Sequence, residues 1–376
     1  MKEAIAVIGI GCRLPGGIKS ADGYWEALLN KVDAIREVPD DRWLNSAFYD
    51  PDPEKAGKTR NAKGGFIEDV DQFDAEFFGF FPSEASRLDP QLRLLLEVTH
   101  EAIEDAGIPT EKLSGSQTSV FVGAFMYDYL CMQYASNARG VVNPYVAMGT
   151  DIASLSNRIS YIYNLKGPSV SLDTACSSSL VAVHYACRSL WGGEADIAIA
   201  GGVNLLLRPE GSIVLSKGGF LSPDGYCKTF DASADGYVRS EGAGVVVLKR
   251  LSQAIADRNF IYALVRGSAI NHDGFVAEGF TVPSAEAQIA MLKASYSDAG
   301  IDPATISFIE AHGTGTAVGD PIEVSALGTI IGQAPNRKDD CIIGSVKSNL
   351  GHLEGAAGIA GFIKGVLVHC QGCFDG

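Results

Sequence analysis

One cysteine in this sequence lies where a thiol could act as a nucleophile. A predicted strand at residues 169–173 ends in a turn of small residues, and a helix is predicted to begin at Cys176. The unpaired N–H groups and the dipole of a helix N-terminus favour an anion, so we expect the pKa of this thiol to fall. The backbone N–H of Cys176 could also donate a hydrogen bond to the oxyanion that forms on an attacked thioester. Strand, tight turn and helix together predict a catalytic nucleophile.

Two of the six histidines lie in glycine-rich turns after predicted strands. His312 follows the strand predicted for residues 307–311, and His352 follows the strand predicted for residues 342–345. Ligands of α/β sheets collect at the carboxyl ends of the strands, so we expect both imidazoles to meet the thiol there. Such a set suits acyl transfer, because an imidazole can donate to a carbonyl oxygen that gains negative charge. The remaining histidines are interpreted as structural: His100, His184, His272 and His369.

The elements that must position these residues alternate between strand and helix. Strands are predicted at 4–10, 118–123, 169–173, 196–201, 244–249, 262–270, 307–311 and 342–345. Helices are predicted at 20–30, 92–106, 176–190, 251–257, 284–300, 321–332 and 355–369. This alternation predicts an α/β architecture with sheets covered by helices, and a boundary near residue 250. Residues 31–75 are interpreted as a long irregular insertion.

Composition excludes several functional classes. The chain has 376 residues, of which 46% are hydrophobic and 20% charged, as in ordinary globular proteins. Its net charge of -15 argues against a nucleic-acid-binding protein, which needs a basic surface. No signal peptide or membrane-spanning segment is recognisable, so we expect a cytoplasmic location. The eight cysteines show no paired zinc-ligand spacing, so free thiols and no metal site are predicted.

Several motifs, in this order, resemble those of the ketosynthases (β-ketoacyl synthases) of type I modular polyketide synthases. They are AVIGIGCRLPG at 6–16, DTACSSS at 173–179, DGYVRSEG at 235–242, EAHGTGT at 310–316 with GDPIE at 319–323, and KSNLGH at 347–352. The resemblance implies a thiolase-like fold of two similar α/β halves in a five-layered arrangement. Residues 1–250 would form the N-terminal half with the nucleophile, and residues 251–376 the C-terminal half with the two histidines.

The resemblance implies a decarboxylative Claisen condensation. Cys176 would carry the acyl chain, while His312 and His352 would bind the thioester carbonyl of malonyl-acyl carrier protein and stabilise its enolate. Thr314 and Thr316 match positions that contact the phosphopantetheine arm, and Lys347 matches a lysine that shapes the electrostatics around His352. No cofactor would be bound by this domain, because the substrates are carried on the phosphopantetheine of the carrier protein. The implied partners are the acyl carrier protein and a second copy in a homodimer, with no nucleic acid and no membrane.

Two alternatives remain open from the sequence, and the end of the chain departs from the family pattern. The chain could be the condensing domain of a type I fatty acid synthase, or a non-catalytic scaffold that only binds acyl carrier protein. In the family, further strands and a glycine-rich loop follow the last helix, and that loop donates a second hydrogen bond to the oxyanion. Residues 369–376 do not match this segment. We therefore expect an incomplete C-terminal half and a slow condensing enzyme.

Overall fold

The computed structural model describes residues 2–135 and 143–371. Its strands are β1 (Ile5–Arg13), β2 (Ile35–Glu37), β3 (Lys63–Gly65), β4 (Thr118–Gly123), β5 (Ser169–Leu172), β6 (Ile197–Asn204), β7 (Gly242–Arg250), β8 (Ala263–Val265), β9 (Phe308–Glu310) and β10 (Ile342–Gly344). The C-terminal half is expected to be incomplete, partly because of residues 372–376. These residues lie outside the described residues.

The helices of the first half are α1 (Ala21–Leu29), α2 (Asn45–Phe48), α3 (Pro82–Ala85), α4 (Pro90–Asp105), α5 (Thr110–Leu113), α6 (Asp128–Tyr134), α7 (Pro144–Thr150), α8 (Ala153–Ile162), α9 (Ser178–Gly192) and α10 (Glu210–Lys217). They are followed by α11 (Leu251–Ala256), α12 (Ala285–Ala299), α13 (Gly319–Leu327), α14 (Lys347–Leu350) and α15 (Ala357–Cys370). Within the described ranges, no helix is both long enough and apolar enough to cross a membrane.

A six-stranded mixed sheet forms the centre of the molecule. Its strand order is β5-β4-β6-β7-β1-β8. β4 runs parallel to β5 and β6, while β7 pairs antiparallel with both β6 and β1. The residues of β4 and nearly all those of β6 are buried, which is expected for strands that are covered by helices on both faces.

Helices and sheets stack in five layers. Apolar residues of α4 and α8 cover one face of the large sheet, and those of α9 and α15 cover the other. α15 also contacts β9, which pairs in parallel with β10 in a second sheet. α12 and the end of α13 pack on the far side of that sheet. The order helix, sheet, helix, sheet, helix agrees with the thiolase-like arrangement predicted from the sequence.

α9 and α15 approach each other closely in the central layer. A Cβ atom placed on Gly358 would lie 2.7 Å from Cβ of Leu180, so a larger residue would force the helices apart. The side chain of Ser179 accepts a hydrogen bond from the N–H of Ile359 at 2.9 Å. This contact joins the first turn of α9 to the first turn of α15, and therefore brings the two segments that precede these helices together.

Several predicted elements differ from the structure. The helix predicted from residue 176 begins at Ser178, and the strand predicted for 262–270 is reduced to β8, which pairs with β1 over three residues. The helix predicted for 321–332 ends at Leu327 and continues as a π-helical turn. The predicted irregular insertion contains the β2–β3 pair. Eight helices of the described residues were not predicted, namely α2, α3, α5, α6, α7, α8, α10 and α14.

Candidate active site

The structure brings the predicted cysteine and both predicted histidines into one cluster. The Sγ atom of Cys176 and one imidazole nitrogen each of His312 and His352 lie within 4.8 Å of one another. The two imidazole rings are nearly perpendicular, with centroids 5.4 Å apart. Segments separated by more than 130 residues in the chain thus meet at the carboxyl ends of β5, β9 and β10, as the sequence predicted.

The turn before α9 directs Cys176 into this cluster. Ala175 has a left-handed backbone with φ of 54°, a conformation that a residue other than glycine adopts at a cost. Side chains hold the turn in place. The carboxylate of Asp173 accepts the N–H of Ala175 at 2.9 Å, and the hydroxyl of Ser178 accepts the N–H of Thr174 at 2.9 Å. This local network is what turns the chain sharply between strand and helix.

The prediction that the pKa of the Cys176 thiol falls is wrong. Burial raises this pKa above the ordinary value, although the positive charge of Lys347 and the backbone N–H of Cys176 itself act in the opposite direction. The physical reason is that the helix begins only at Ser178, so the thiol gains less from the helix N-terminus than it loses in hydration. The thiol is therefore the resting form near neutral pH.

His352 is buried, with 3% of its surface exposed. Its Nδ1 accepts the backbone N–H of Glu354 at 3.0 Å, and its ring lies against that of Tyr237 with centroids 5.0 Å apart. Burial, Lys347, His312 and Arg239 hold the pKa of His352 well below its usual range. A neutral imidazole whose Nδ1 accepts a hydrogen bond carries its proton on Nε2. His352 therefore offers an Nε2–H group as a donor.

His312 is held through its backbone by a carboxylate of α13. The two oxygens of Glu323 accept the N–H groups of His312 and Gly313 at 2.7 and 2.8 Å. The side chain of His312 is accessible from the cleft although protein surrounds it on the other sides. Desolvation and the charge of Lys347 both lower its pKa. His312 is therefore also neutral near pH 7.

The carboxylates of α13 were not predicted to support the site. Asp320, three residues before Glu323, accepts the N–H groups of Gly315 and Thr316 at 3.1 and 3.3 Å. The sequence contains a signal for these contacts: two acidic residues three apart in the first turns of a helix that follows a glycine-rich loop. Such residues face the same direction and meet the free N–H groups of the preceding loop.

Thr314 and Thr316 lie in the same loop as His312. Their hydroxyl oxygens are 3.2 Å apart, Thr314 is buried and Thr316 is half-buried. Neither residue belongs to the lining of the cavity that contains Cys176. Their predicted contact with a phosphopantetheine arm remains a prediction.

Lys347 is buried beside the cluster, with 5% of its surface exposed. Burial lowers its pKa, and the nearby carboxylate of Glu310 opposes this effect. Glu310 has further partners, because it lies 2.6 Å from Nζ of Lys364 and accepts the N–H of Val346 at 2.6 Å. The charge of Lys347 lowers the pKa of the thiol and of both imidazoles, so it acts on the whole cluster rather than on His352 alone.

A cavity of about 660 Å³ adjoins the cluster and has largely apolar walls. Cys176, His312 and Lys347 line part of it, and residues of β8, α12 and α15 form much of the remaining wall. Among the described residues, β8 pairs only with β1 and β9 only with β10. The cavity is bordered both by β8, at the edge of the large sheet, and by Glu310 at the end of β9 in the second sheet.

The same cluster has the donor set of a metal site, since a thiolate and two imidazoles are ligands of zinc. Two features of its surroundings disfavour a cation. The buried Lys347 already places a positive charge at the site, and burial raises the pKa of the thiol that would have to lose its proton. The arrangement is better suited to binding an oxygen that becomes negative.

Two family models match most of the chain. The N-terminal domain of β-ketoacyl synthases matches residues 2–254, and the C-terminal domain of β-ketoacyl synthases matches residues 262–373. The chain is 49% identical over 371 residues to one of the proteins that make up the phenolphthiocerol/phthiocerol polyketide synthase of Mycobacterium tuberculosis. That match covers 98% of this chain and 20% of the relative, so the chain spans about a fifth of the relative's length.

Solved structures are similar over nearly the whole chain. An oxazolomycin ketosynthase domain of Streptomyces albus superposes with a TM-score of 0.93 at 41% identity, and covers 97% of this chain and 62% of that one. The ketosynthase from module 6 of the bacillaene synthase of Bacillus subtilis superposes with a TM-score of 0.88 at 42% identity, and covers 97% and 61%. The chain therefore belongs to the β-ketoacyl synthase family, has a thiolase-like fold, and is similar over nearly its whole length to ketosynthase domains of modular polyketide synthases.

Proposed function

We propose that Cys176, His312 and His352 carry out a decarboxylative condensation of an acyl-cysteine with a malonyl-type extender on acyl carrier protein. The observation that supports this assignment is the spacing of the cluster, in which one thiol and two neutral imidazoles lie within 4.8 Å of one another. A thiol can accept an acyl group, and two N–H donors can bind one carbonyl oxygen.

The first half-reaction is acyl transfer to the cysteine. The sulfur of Cys176 attacks the carbonyl carbon of an acyl thioester on the carrier protein, and the backbone N–H of Cys176 donates to the resulting oxyanion. The bond between the acyl carbon and the carrier thiol then breaks. The proton lost from Cys176 ends on the departing thiol, so that acyl-Cys176 and free carrier thiol result.

The second half-reaction forms the carbon–carbon bond. Neutral His312 and His352 donate hydrogen bonds to the thioester carbonyl of the malonyl group, which stabilises the enolate left when carbon dioxide departs. The enolate carbon attacks the acyl carbon on Cys176, and the carbon–sulfur bond breaks. The products are a β-ketoacyl thioester on the carrier protein and a thiolate at Cys176, which regains a proton.

Lys347, Thr314 and Thr316 are assigned supporting roles. Together with burial, the charge of Lys347 keeps both imidazoles neutral, and it favours the thiolate when it leaves the tetrahedral intermediate. Thr314 and Thr316 would bind the phosphopantetheine arm, because they lie in the loop that carries His312. The domain would bind no cofactor of its own, and it would act in the cytoplasm.

A homodimer is proposed from the edge of the large sheet. β5 is the last strand of that sheet and pairs only with β4 among the described residues, while Val170 at its centre is 42% exposed. Exposed apolar residues also lie on α8, which packs against β5, and on α7, which packs against α8: Tyr161, Tyr145 and Met148. An unpaired apolar edge is a site for pairing with another strand. Antiparallel pairing of β5 with its copy obeys the two-fold symmetry of a dimer.

The roles of the cluster are tested by separating the half-reactions. We expect Cys176→Ala to abolish acyl loading and condensation while some malonyl decarboxylation remains. His352→Ala should instead spare acyl loading more than decarboxylation, and His272→Ala, in an exposed turn, serves as the matched control. Equal losses of both half-reactions in the Cys176 and His352 variants would contradict the division of roles. Binding of carrier protein without either half-reaction in the unaltered chain would favour the non-catalytic scaffold.

A further inference from the structure

The segment of residues 237–240 lies against His352 on both sides of its backbone. The N–H of His352 donates to the carbonyl of Val238 at 2.8 Å, and the carbonyl of His352 accepts the N–H of Ser240 at 2.9 Å. The ring of Tyr237 packs against the imidazole, with centroids 5.0 Å apart. This segment comes directly before β7 in the large sheet. The first half of the chain therefore provides the frame in which a histidine of the second half is held.

Glu354 links this frame to the imidazole itself. Its backbone is left-handed, with φ of 48°, and its N–H donates to Nδ1 of His352 at 3.0 Å. Its carboxylate receives two hydrogen bonds from the guanidinium of Arg239, at 2.6 and 2.8 Å, and one from the amide of Asn204 at 3.1 Å. The guanidinium also donates to the hydroxyl of Ser212 at 3.1 Å.

The burial of this ion pair calls for a reason other than stability. The side chains of Arg239 and Glu354 are 2% and 3% exposed. A buried ion pair loses most of its attraction to the cost of desolvation, so it adds little to folding. What it does fix is geometry, because a two-pronged contact between a guanidinium and a carboxylate allows one orientation. Here that contact holds a residue in a backbone conformation that it would not otherwise prefer.

We propose that Arg239 and Glu354 are positioning residues that fix the tautomer of His352. Arg239 holds the Glu354 side chain, the backbone of Glu354 then stays left-handed, and its N–H keeps Nδ1 as an acceptor. The proton is thereby confined to Nε2, the nitrogen that remains available to the cluster with Cys176. If the Nδ1 contact is lost, the proton can move to Nδ1 and the donor to the thioester carbonyl disappears. This inference rests on the proposed function of His352.

A paired variant removes both charges without leaving one of them buried alone. In Arg239→Met with Glu354→Gly, the backbone N–H is retained and glycine tolerates the left-handed conformation, but nothing holds the segment in place. We expect the ring-nitrogen NMR signals of His352 to change from a single Nε2–H tautomer to a mixture. Malonyl decarboxylation should fall about tenfold or more, less than the ~10²–10³ typical of removing an oxyanion donor outright.

The chain offers a matched control in a second buried ion pair. Arg42 contacts Glu241 through two hydrogen bonds of 2.8 and 2.9 Å, with side chains 2% and 0% exposed, and neither residue has a hydrogen bond to His352. Arg42→Met with Glu241→Gln should alter stability but leave the Nε2–H tautomer in place. Arg239→Met with Glu354→Gln, a second variant that also leaves no charge buried alone, should show the same tautomer mixture if the variant with glycine does not fold.

The tautomer is measured without substrate, so it separates this inference from the proposed function. A single Nε2–H tautomer in the unaltered protein and a mixture in the Glu354 variants would support the positioning role, even if the unaltered chain decarboxylated nothing. The role is overturned if the unaltered protein already shows an Nδ1–H tautomer. It is also overturned if the variants keep the Nε2–H tautomer, or if the Arg42 and Glu241 control produces the same mixture.

Discussion

Glu323 fixes the backbone of His312, because its carboxylate accepts the N–H of His312 at 2.7 Å and the next N–H along the chain at 2.8 Å. The contact reaches from α13 back to the loop that begins at the end of β9. A carboxylate bound to two successive N–H groups determines the direction in which the intervening side chain leaves the backbone. Glu323 is therefore a positioning residue for the imidazole, and it is not among the residues that line the cavity.

We expect Glu323→Gln to slow malonyl decarboxylation about tenfold, since one of its two accepting oxygens becomes a donor that faces an N–H group. The loss should appear in kcat, while KM for malonyl-carrier protein changes little, because the cleft is unaltered. Steady-state kinetics of the half-reaction would measure both. Glu286→Gln, an exposed glutamate in the first turn of α12, is the control. A rate equal to that of the unaltered protein would show that the contact does not orient His312.

Lys347→Met should raise the pKa of the Cys176 thiol further. The lysine is the largest influence that lowers this pKa against burial, so removing its charge strengthens the upward shift. Glu310 is not left alone in the variant, because Lys364 remains beside it. The pH dependence of alkylation at Cys176, followed by mass spectrometry, should move to higher pH. Each unit of upward shift lowers the thiolate fraction at a fixed pH about tenfold.

The control for this experiment is a lysine without contact to the cluster. Lys228 forms ion pairs with Asp224 and Asp235 at 2.8 and 2.7 Å on the protein surface. Lys228→Met should leave the alkylation profile of Cys176 where it is. An unchanged profile in Lys347→Met, or an equal shift in both variants, would mean that the buried charge does not act on the thiol.

The fold was predicted best where apolar runs are uninterrupted. β4, β6 and β7 are buried along almost their whole length. A short, largely apolar stretch of sequence bounded by turns is typical of such a strand in the interior of a globular protein. α8 was missed because serine, asparagine and arginine interrupt its apolar pattern. The extent of β8 could not be predicted either, because the length of a strand depends on its partner, and β1 pairs with only three of its residues.

The sequence predicted which residues form the cluster, but not the hydrogen-bonded residues around them that hold them in position. Cys176 and the two histidines follow predicted strands, and topology brings such positions together. The contact of Arg239 with Glu354 joins residues 115 positions apart, for which a single sequence holds no distance information. The predicted fall in the pKa of the thiol was wrong for a related reason. Burial depends on the packing of the whole molecule, and its effect on the pKa outweighs that of the local helix geometry.

Val170→Lys should convert the proposed homodimer into monomers. The substitution puts a charge near the centre of β5, where an antiparallel two-fold pairing would bring the two lysines close to each other across the symmetry axis. Light scattering after size-exclusion chromatography would measure the mass. Val214→Lys on α10, where the valine is 69% exposed, is the matched control and should keep the mass of the unaltered protein. A monomeric unaltered chain, or a dimeric Val170→Lys variant, would contradict pairing through β5.

Neutral His352 should make the protein sensitive to mild acid. Its pKa in the folded state is far below the ordinary value, whereas the unfolded chain takes up a proton near pH 6.5. The unfolded state therefore binds more protons as the pH falls, and the contribution to stability that is present above pH 6.5 is lost below it. Between pH 7 and 5.5 this linkage amounts to about 1 kcal/mol of unfolding free energy.

Between pH 7 and 5.5, we expect the unfolding free energy of His352→Gln to fall by about 1 kcal/mol less than that of the unaltered protein. Urea unfolding at both pH values would measure this difference. Asp89, whose pKa burial raises to about 6, acts with the opposite sign, because stability from its protonated form is lost as the pH rises. It is present in both proteins, so its contribution cancels from the difference. His272→Gln, in an exposed turn, should lose as much stability as the unaltered protein. If His352→Gln did the same, the imidazole of the folded protein would take up its proton in the ordinary pH range, and burial and Lys347 would not be what keeps it neutral.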